Sequence, residues 1–164
     1  MMKHLVETML KELSQKIQLS YGDRLITLAI FGSIASETST TESDIDILII
    51  AEPLPSGRIP RVDEFVHLVE KPMKEKLEEM SRQGWAVYLS PIFKTRREVE
   101  FGSPLFFDMT DRAAILFDRD NFFQKYLKKL QDRMKEMGAK RIYRCGGYFW
   151  VLKDNYVFGD RIEL

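Results

Sequence analysis

The sequence predicts an α/β or α+β fold, a central sheet with packed helices followed by a β-rich C-terminal tail. Three observations predict it. Short apolar runs at 25–31, 44–50 and 85–93 have the length and residue types of strands. Longer segments at 2–18, 62–83 and 120–137 repeat apolar residues at helical spacing, with charged residues between them. Residues 141–164 alternate aromatic and polar side chains around Gly146, Gly147 and Gly159, a pattern expected of one or two hairpins.

The elements follow in chain order. In 2–18, Leu5, Met9, Leu13 and Ile17 form one stripe of a helix that ends at Tyr21-Gly22-Asp23. The strand at 25–31, a polar loop and a strand from Asp44 come next. Pro53, Pro55, Gly57 and Pro60 break regular structure and read as a surface connector downstream of that strand. In 62–83, Phe65, Leu68, Val69, Leu77 and Met80 keep a helical pattern that Pro72 should kink or divide, and Gly84 fits its stop. Residues 85–93 form the third strand and 95–100 a charged short helix or loop. The segment 104–118 reads as a helix and then a short strand, 114–117. The last helix, 120–137, sets Phe123, Leu127, Leu130 and Met134 on one face, with Gly138 as its stop.

With 164 residues the chain is long enough to bury a core, and one domain is expected over 1–164. Its core should occupy about 22–118, with the helix and β tail at 119–164. Lys plus Arg and Asp plus Glu balance at 25 each, so no overall field draws the chain to nucleic acid or membrane. A lone cysteine, Cys145, can form no internal disulfide, and no apolar run reaches the length of a membrane span. The charges within 1–12 are unlike the apolar core of a signal peptide, so a cytoplasmic location is the expectation.

The stretch from Leu28 to Ile50 carries the chemistry. On a strand, Asp44 and Asp46 point the same way, about 7 Å apart, while Ile45 and Ile47 face a core. Two carboxylates on one rigid face suit Mg²⁺, which takes hard oxygen ligands and is commonly held by one or two carboxylates plus substrate phosphates. Gly32 lets the backbone turn tightly and approach a ligand. With a helix beginning near Ile34, its free N–H groups and the Ser33 hydroxyl would face an anion. Taken alone, Gly32-Ser33 is an ordinary loop and Ser43-Asp44 a solvated turn; joined in this spacing, they point to phosphate chemistry.

Gly32-Ser33, ten residues, then Asp44-Ile45-Asp46 between apolar strands resembles the signature of the DNA polymerase β-type nucleotidyltransferase superfamily. It is most similar to that superfamily's small single-domain (minimal) prokaryotic members. The resemblance implies a mixed central sheet of the nucleotidyltransferase type. It implies Mg²⁺-dependent transfer of a nucleoside monophosphate from a nucleoside triphosphate, ATP foremost, to an acceptor hydroxyl that the sequence does not identify. In such a site Gly32 and Ser33 hold the β and γ phosphates, and Asp44 and Asp46 bind the metal. The second class it implies is a catalytically weak or inactive module that holds a nucleotide or a protein partner, as antitoxin-like members do.

The chain departs from the family pattern at one place. Active members carry a third carboxylate on the third core strand, but 85–93 contains no acid, and Tyr88 or Ser90 stands in that position. Asp108, between Phe107 and Met109, is a candidate from further along the chain, with Glu98 and Glu100 looser ones; a solvated helix face is the plainer reading of Asp108. One well-bound Mg²⁺ at Asp44 and Asp46, with slow or absent transfer, is therefore expected.

Other reactive residue types carry less. His4 and His67 lack neighbours at zinc spacing and read as surface residues. Cys145 has no base nearby in sequence and reads as structural. Lys140, Arg141, Arg144, Tyr148, Trp150 and Lys153 mix bases with aromatics in a way that can stack nucleobases. Cross-strand pairing in a hairpin is the plainer reading of the same residues.

Overall fold

The two most apolar runs pair at the centre of one sheet, β1 (Leu25–Phe31) antiparallel to β2 (Ile45–Ala51). Nearly every side chain in both strands is buried, which explains why they read as continuous apolar runs rather than alternating ones. The computed structural model describes residues 2–32, 44–153 and 157. β3 (Leu89–Lys94) joins β2 in parallel and β4 (Ala114–Asp118) joins β1 antiparallel, giving a mixed four-stranded sheet in the order β3-β2-β1-β4.

Helices cover both faces of this sheet. On one face α1 (Met2–Tyr21) buries Met9, Leu13, Ile17 and Tyr21 against Ile45, Ile47 and Ile49, in the spacing expected of its stripe. The same face takes α2 (Arg58–Phe65) through Phe65 and α3 (Lys74–Arg82) through Met80. Between those helices the chain makes a π-helical turn, Val66–Glu70, and a 3₁₀ turn, Lys71–Met73, around Pro72. Proline has no N–H for the helical ladder, so it divides the helix there. α2 begins four residues ahead of the expected 62, and Pro60 lies in its first turn instead of the connector. The first-turn N–H groups lack helical partners in any case, so proline is tolerated there.

The second face is covered by α4 (Arg96–Glu100), α5 (Leu105–Arg112) and α6 (Phe122–Glu136), which bury Val99, Phe106, Phe107, Met109, Phe123, Leu127, Leu130 and Met134 on Leu48 and Ile50. The third strand is shorter than 85–93: Trp85 and Val87 are buried, but pairing in register begins at Leu89. Asp118 at the end of β4 accepts hydrogen bonds from Thr27 Oγ1 at 2.7 Å, Phe123 N at 3.0 Å and Gln124 N at 2.9 Å. It thereby satisfies two free N–H groups at the start of α6 and ties that helix to β1.

The tail is one hairpin among the described residues, β5 (Lys140–Arg144) with β6 (Gly147–Val151). Its turn, Cys145-Gly146, has positive φ at both positions, the twist a two-residue hairpin loop needs. Cys145 is exposed at that tip rather than packed as a structural residue. Gly159 lies outside the described residues. No helix among the described residues is long and apolar enough to cross a membrane.

Candidate functional site

β1 ends at Phe31, which pairs with Asp46, and Gly32 follows at the same end of the sheet. Gly32 has φ +73°, a conformation that costs an L side chain about 1–2 kcal/mol. The space matters as much. A Cβ built on Gly32 would lie 2.2 Å from Asp46 Oδ2, so only glycine lets the turn after β1 pass the carboxylate on β2. Asp44, exposed, stands two residues earlier, and Ile45 and Ile47 between and beyond are fully buried on the opposite face. Ser33 and residues 34–43, including the helix expected to begin near Ile34, lie outside the described residues.

Parallel pairing in β2–β3 puts Ser90 directly opposite Asp46, and the Ser90 side chain hydrogen-bonds the Asp46 carboxylate. Burial pushes the Asp46 carboxyl above the ordinary carboxylate range. The Ser90 hydrogen bond pulls it down, and the nearby Asp44 charge pushes it up. Of the two residues expected near the missing carboxylate, Ser90 occupies the register position, whereas Tyr88 precedes the strand and is exposed. A hydroxyl supplies an oxygen there and no negative charge.

Asp108 is engaged elsewhere. It lies on α5, where its Oδ1 accepts from Trp150 Nε1 at 2.9 Å and from Arg141 at 3.5 Å. The Tyr148 hydroxyl also hydrogen-bonds it. Arg141, 11% exposed, pairs at 3.0 Å with Asp111 and lies over the rings of Trp150 at 4.6 Å and Tyr148 at 4.9 Å. Arg141 and Trp150 face each other across the hairpin, and Trp150 meets Phe107 edge to face. The basic and aromatic residues of the tail are thus largely cross-strand partners that fasten the hairpin to α5. Glu98 is likewise committed, closing a capping box with Thr95 and pairing with Arg61 at 2.9 Å. Its pairing with Arg61 holds its carboxyl below the ordinary range.

His67 is on the surface and bonded to the Asp63 carbonyl; the side chain of His4 lies outside the described residues. No group of three or more His, Cys, Asp or Glu side chains suited to a metal occurs among the described residues. The donor set that remains is a pair of carboxylates beside a glycine turn. Asp46 is half-buried with no cationic side chain as partner among the described residues, which fits a hard divalent cation supplied with a phosphate ligand.

A sequence model of the family described as "Nucleotidyltransferase domain" matches residues 6–142. The Methanocaldococcus jannaschii protein MJ1305, whose curated name provisionally makes it a protein adenylyltransferase, is 34% identical over 135 residues, 81% of this chain and 86% of its own. Among solved structures, a toxin–antitoxin complex with AMP-PNP aligns at 19% identity and TM-score 0.43, covering 76% of this chain and 92% of the other. A complex of tri-AMPylated Shewanella oneidensis HEPN toxin with MNT antitoxin aligns at 16% identity and TM-score 0.38, covering 78% and 92%.

Proposed function

The chain belongs to the nucleotidyltransferase domain family, and on that footing we propose that it moves a nucleoside monophosphate from a nucleoside triphosphate, ATP foremost, to a hydroxyl of a protein acceptor, with Mg²⁺ held by Asp44 and Asp46. One observation carries this reading: lacking a side chain, Gly32 brings the backbone up against the Asp46 carboxylate, where a Cβ would lie 2.2 Å from Oδ2. A phosphate chain lying along the turn after β1 then comes within reach of the carboxylates at the head of β2. The curated relative's name supports a protein as the acceptor.

The chain's own residues contribute positioning. Gly32 and Ser33 hold the β and γ phosphates, and Ser90 fixes the orientation of the Asp46 carboxylate. Bound at Asp44 and Asp46, Mg²⁺ would neutralise charge that builds on the α-phosphorus and the departing pyrophosphate. Asp46 must be ionised to serve, so lowering the pH through its raised pKa lets protons compete with the metal. Calorimetric titration with ATP and Mg²⁺ tests the reading. Wild type should bind, and Asp46→Asn should bind at least tenfold more weakly; equal binding by both, or by wild type in EDTA, would contradict it.

The second reading is a nucleotide-binding regulatory module with weak or no turnover. The presence of Ser90 opposite Asp46, where active members carry a carboxylate, favours it. Binding of ATP and Mg²⁺ without release of pyrophosphate in the presence of acceptor would select it.

A further inference from the structure

Beyond Ser90 a groove of about 530 Å³ follows the free edge of β3, between the first turn of α2 and α4. Arg58, Arg61 and Lys94 line it against a single carboxylate, Glu98. Arg61 is already committed, through Nε to the Pro55 carbonyl at 2.8 Å and through Nη1 to Glu98 at 2.9 Å. Glu98 is neutralised by that pair, so Arg58 and Lys94 leave the groove positive. Arg58 is exposed and makes no hydrogen bond or ion pair among the described residues.

The edge itself offers an added strand only a broken ladder. In the parallel register the odd-numbered residues of β3 turn their backbone groups outward, where Pro91 has no N–H to offer and the Phe93 carbonyl accepts from Arg61 at 3.4 Å. Side chains are therefore the main hold on an occupant. Ser90 and Lys94 both line the groove and lie four strand residues apart, about 13 Å. An extended peptide covers that distance in about four residues.

We propose that this groove is the acceptor subsite, and that it selects an extended protein segment whose reacting hydroxyl residue lies three or four positions from an acidic residue. The inference rests on the nucleotidyl-transfer reading of Asp44 and Asp46. The hydroxyl lies beside Ser90 and Asp46, while the acidic side chain meets Arg58 and Lys94. In the transfer, the acceptor oxygen bonds to the α-phosphorus as the α–β bridging bond breaks. Pyrophosphate leaves with that bond's electron pair, and the hydroxyl proton is released to water.

The test uses the full chain and three fluorescein-labelled peptides that share one tyrosine and place glutamate, glutamine or lysine four residues from it. Anisotropy at constant ionic strength, with ATP analogue and Mg²⁺ present, should show the glutamate peptide binding at least tenfold tighter than the other two. The double variant Arg58→Glu/Lys94→Gln changes two groove-lining side chains, and its thermal melt reports whether the fold is kept. It should lose the preference while its affinity for ATP and Mg²⁺ by calorimetry stays within twofold of wild type. Equal binding of the three peptides, a preference that survives in a folded double variant, or tighter binding of a single-stranded RNA oligonucleotide than of the glutamate peptide would overturn the assignment. Loss of ATP and Mg²⁺ binding in wild type itself would instead defeat the transfer reading, so the two failures are distinguishable.

Discussion

Asp46 is the residue on which the account turns, and its burial has a measurable consequence. A carboxyl whose pKa is raised by folding binds its proton more tightly in the native state, so ionising it opposes folding. Its contribution is most favourable below the unfolded value, roughly pH 3.9, and is lost as pH rises through the raised folded value. Asp46→Asn removes that penalty. Without metal, the variant should be at least as stable as wild type at pH 7, with the difference shrinking toward pH 4. Thermal melts across pH would show it, and a variant markedly less stable at pH 7 would mean that the carboxylate is structural. Gly32→Ala should behave oppositely, losing about 1–2 kcal/mol from its left-handed backbone and further stability from its contact with Asp46. Denaturant unfolding would measure that loss, and an unchanged midpoint would rule out the close approach. The strand alternation that turns Ile45 and Ile47 to the core and Asp44 and Asp46 away from it was legible from spacing. The Ser90 partner of Asp46 was only narrowed to two positions, because strand register depends on where pairing begins and apolar residues 85–88 hide that point.

At the scale of elements, the helical stripes were readable because each buries one face on the sheet, and Pro72 announced its own break. The start of α2 was not, because Arg58, Ile59 and Pro60 are exposed and leave no apolar pattern to follow. The fate of Asp108 was also hidden, since its partners Arg141 and Trp150 lie far along the chain and meet it only when the hairpin docks. Asp108→Ala should therefore loosen the hairpin, costing about 1–3 kcal/mol by leaving a half-buried indole N–H and guanidinium underpaired. Its Mg²⁺ affinity should be unchanged; loss of a metal site would show that Asp108 belongs to the centre. The hairpin turn offers the reverse experiment. Cys145 takes φ +51°, a conformation asparagine tolerates better, so Cys145→Asn should stabilise the protein by up to about 1 kcal/mol. A lowered melting temperature would contradict the turn geometry.

At the scale of the whole molecule, a mixed sheet lies between two helical layers, and Gly32, Asp44 and Asp46 sit together at one end of β1 and β2. The fold class was legible because alternating apolar runs and stripes admit few layer arrangements. The groove along β3 was not, because Arg58 and Lys94 are brought together only by the packing of α2 across the sheet edge. Nucleotidyl transfer by Asp44 and Asp46 is measured most directly by following label from α-labelled ATP. Wild type and Asp46→Asn are incubated with Mg²⁺ and a cell extract, and the products are separated by mass. Wild type should place label on a discrete protein band with release of pyrophosphate, and Asp46→Asn should place at least a hundredfold less. Equal labelling by the two proteins, or label arriving from γ-labelled ATP instead, would contradict nucleotidyl transfer at Asp44 and Asp46.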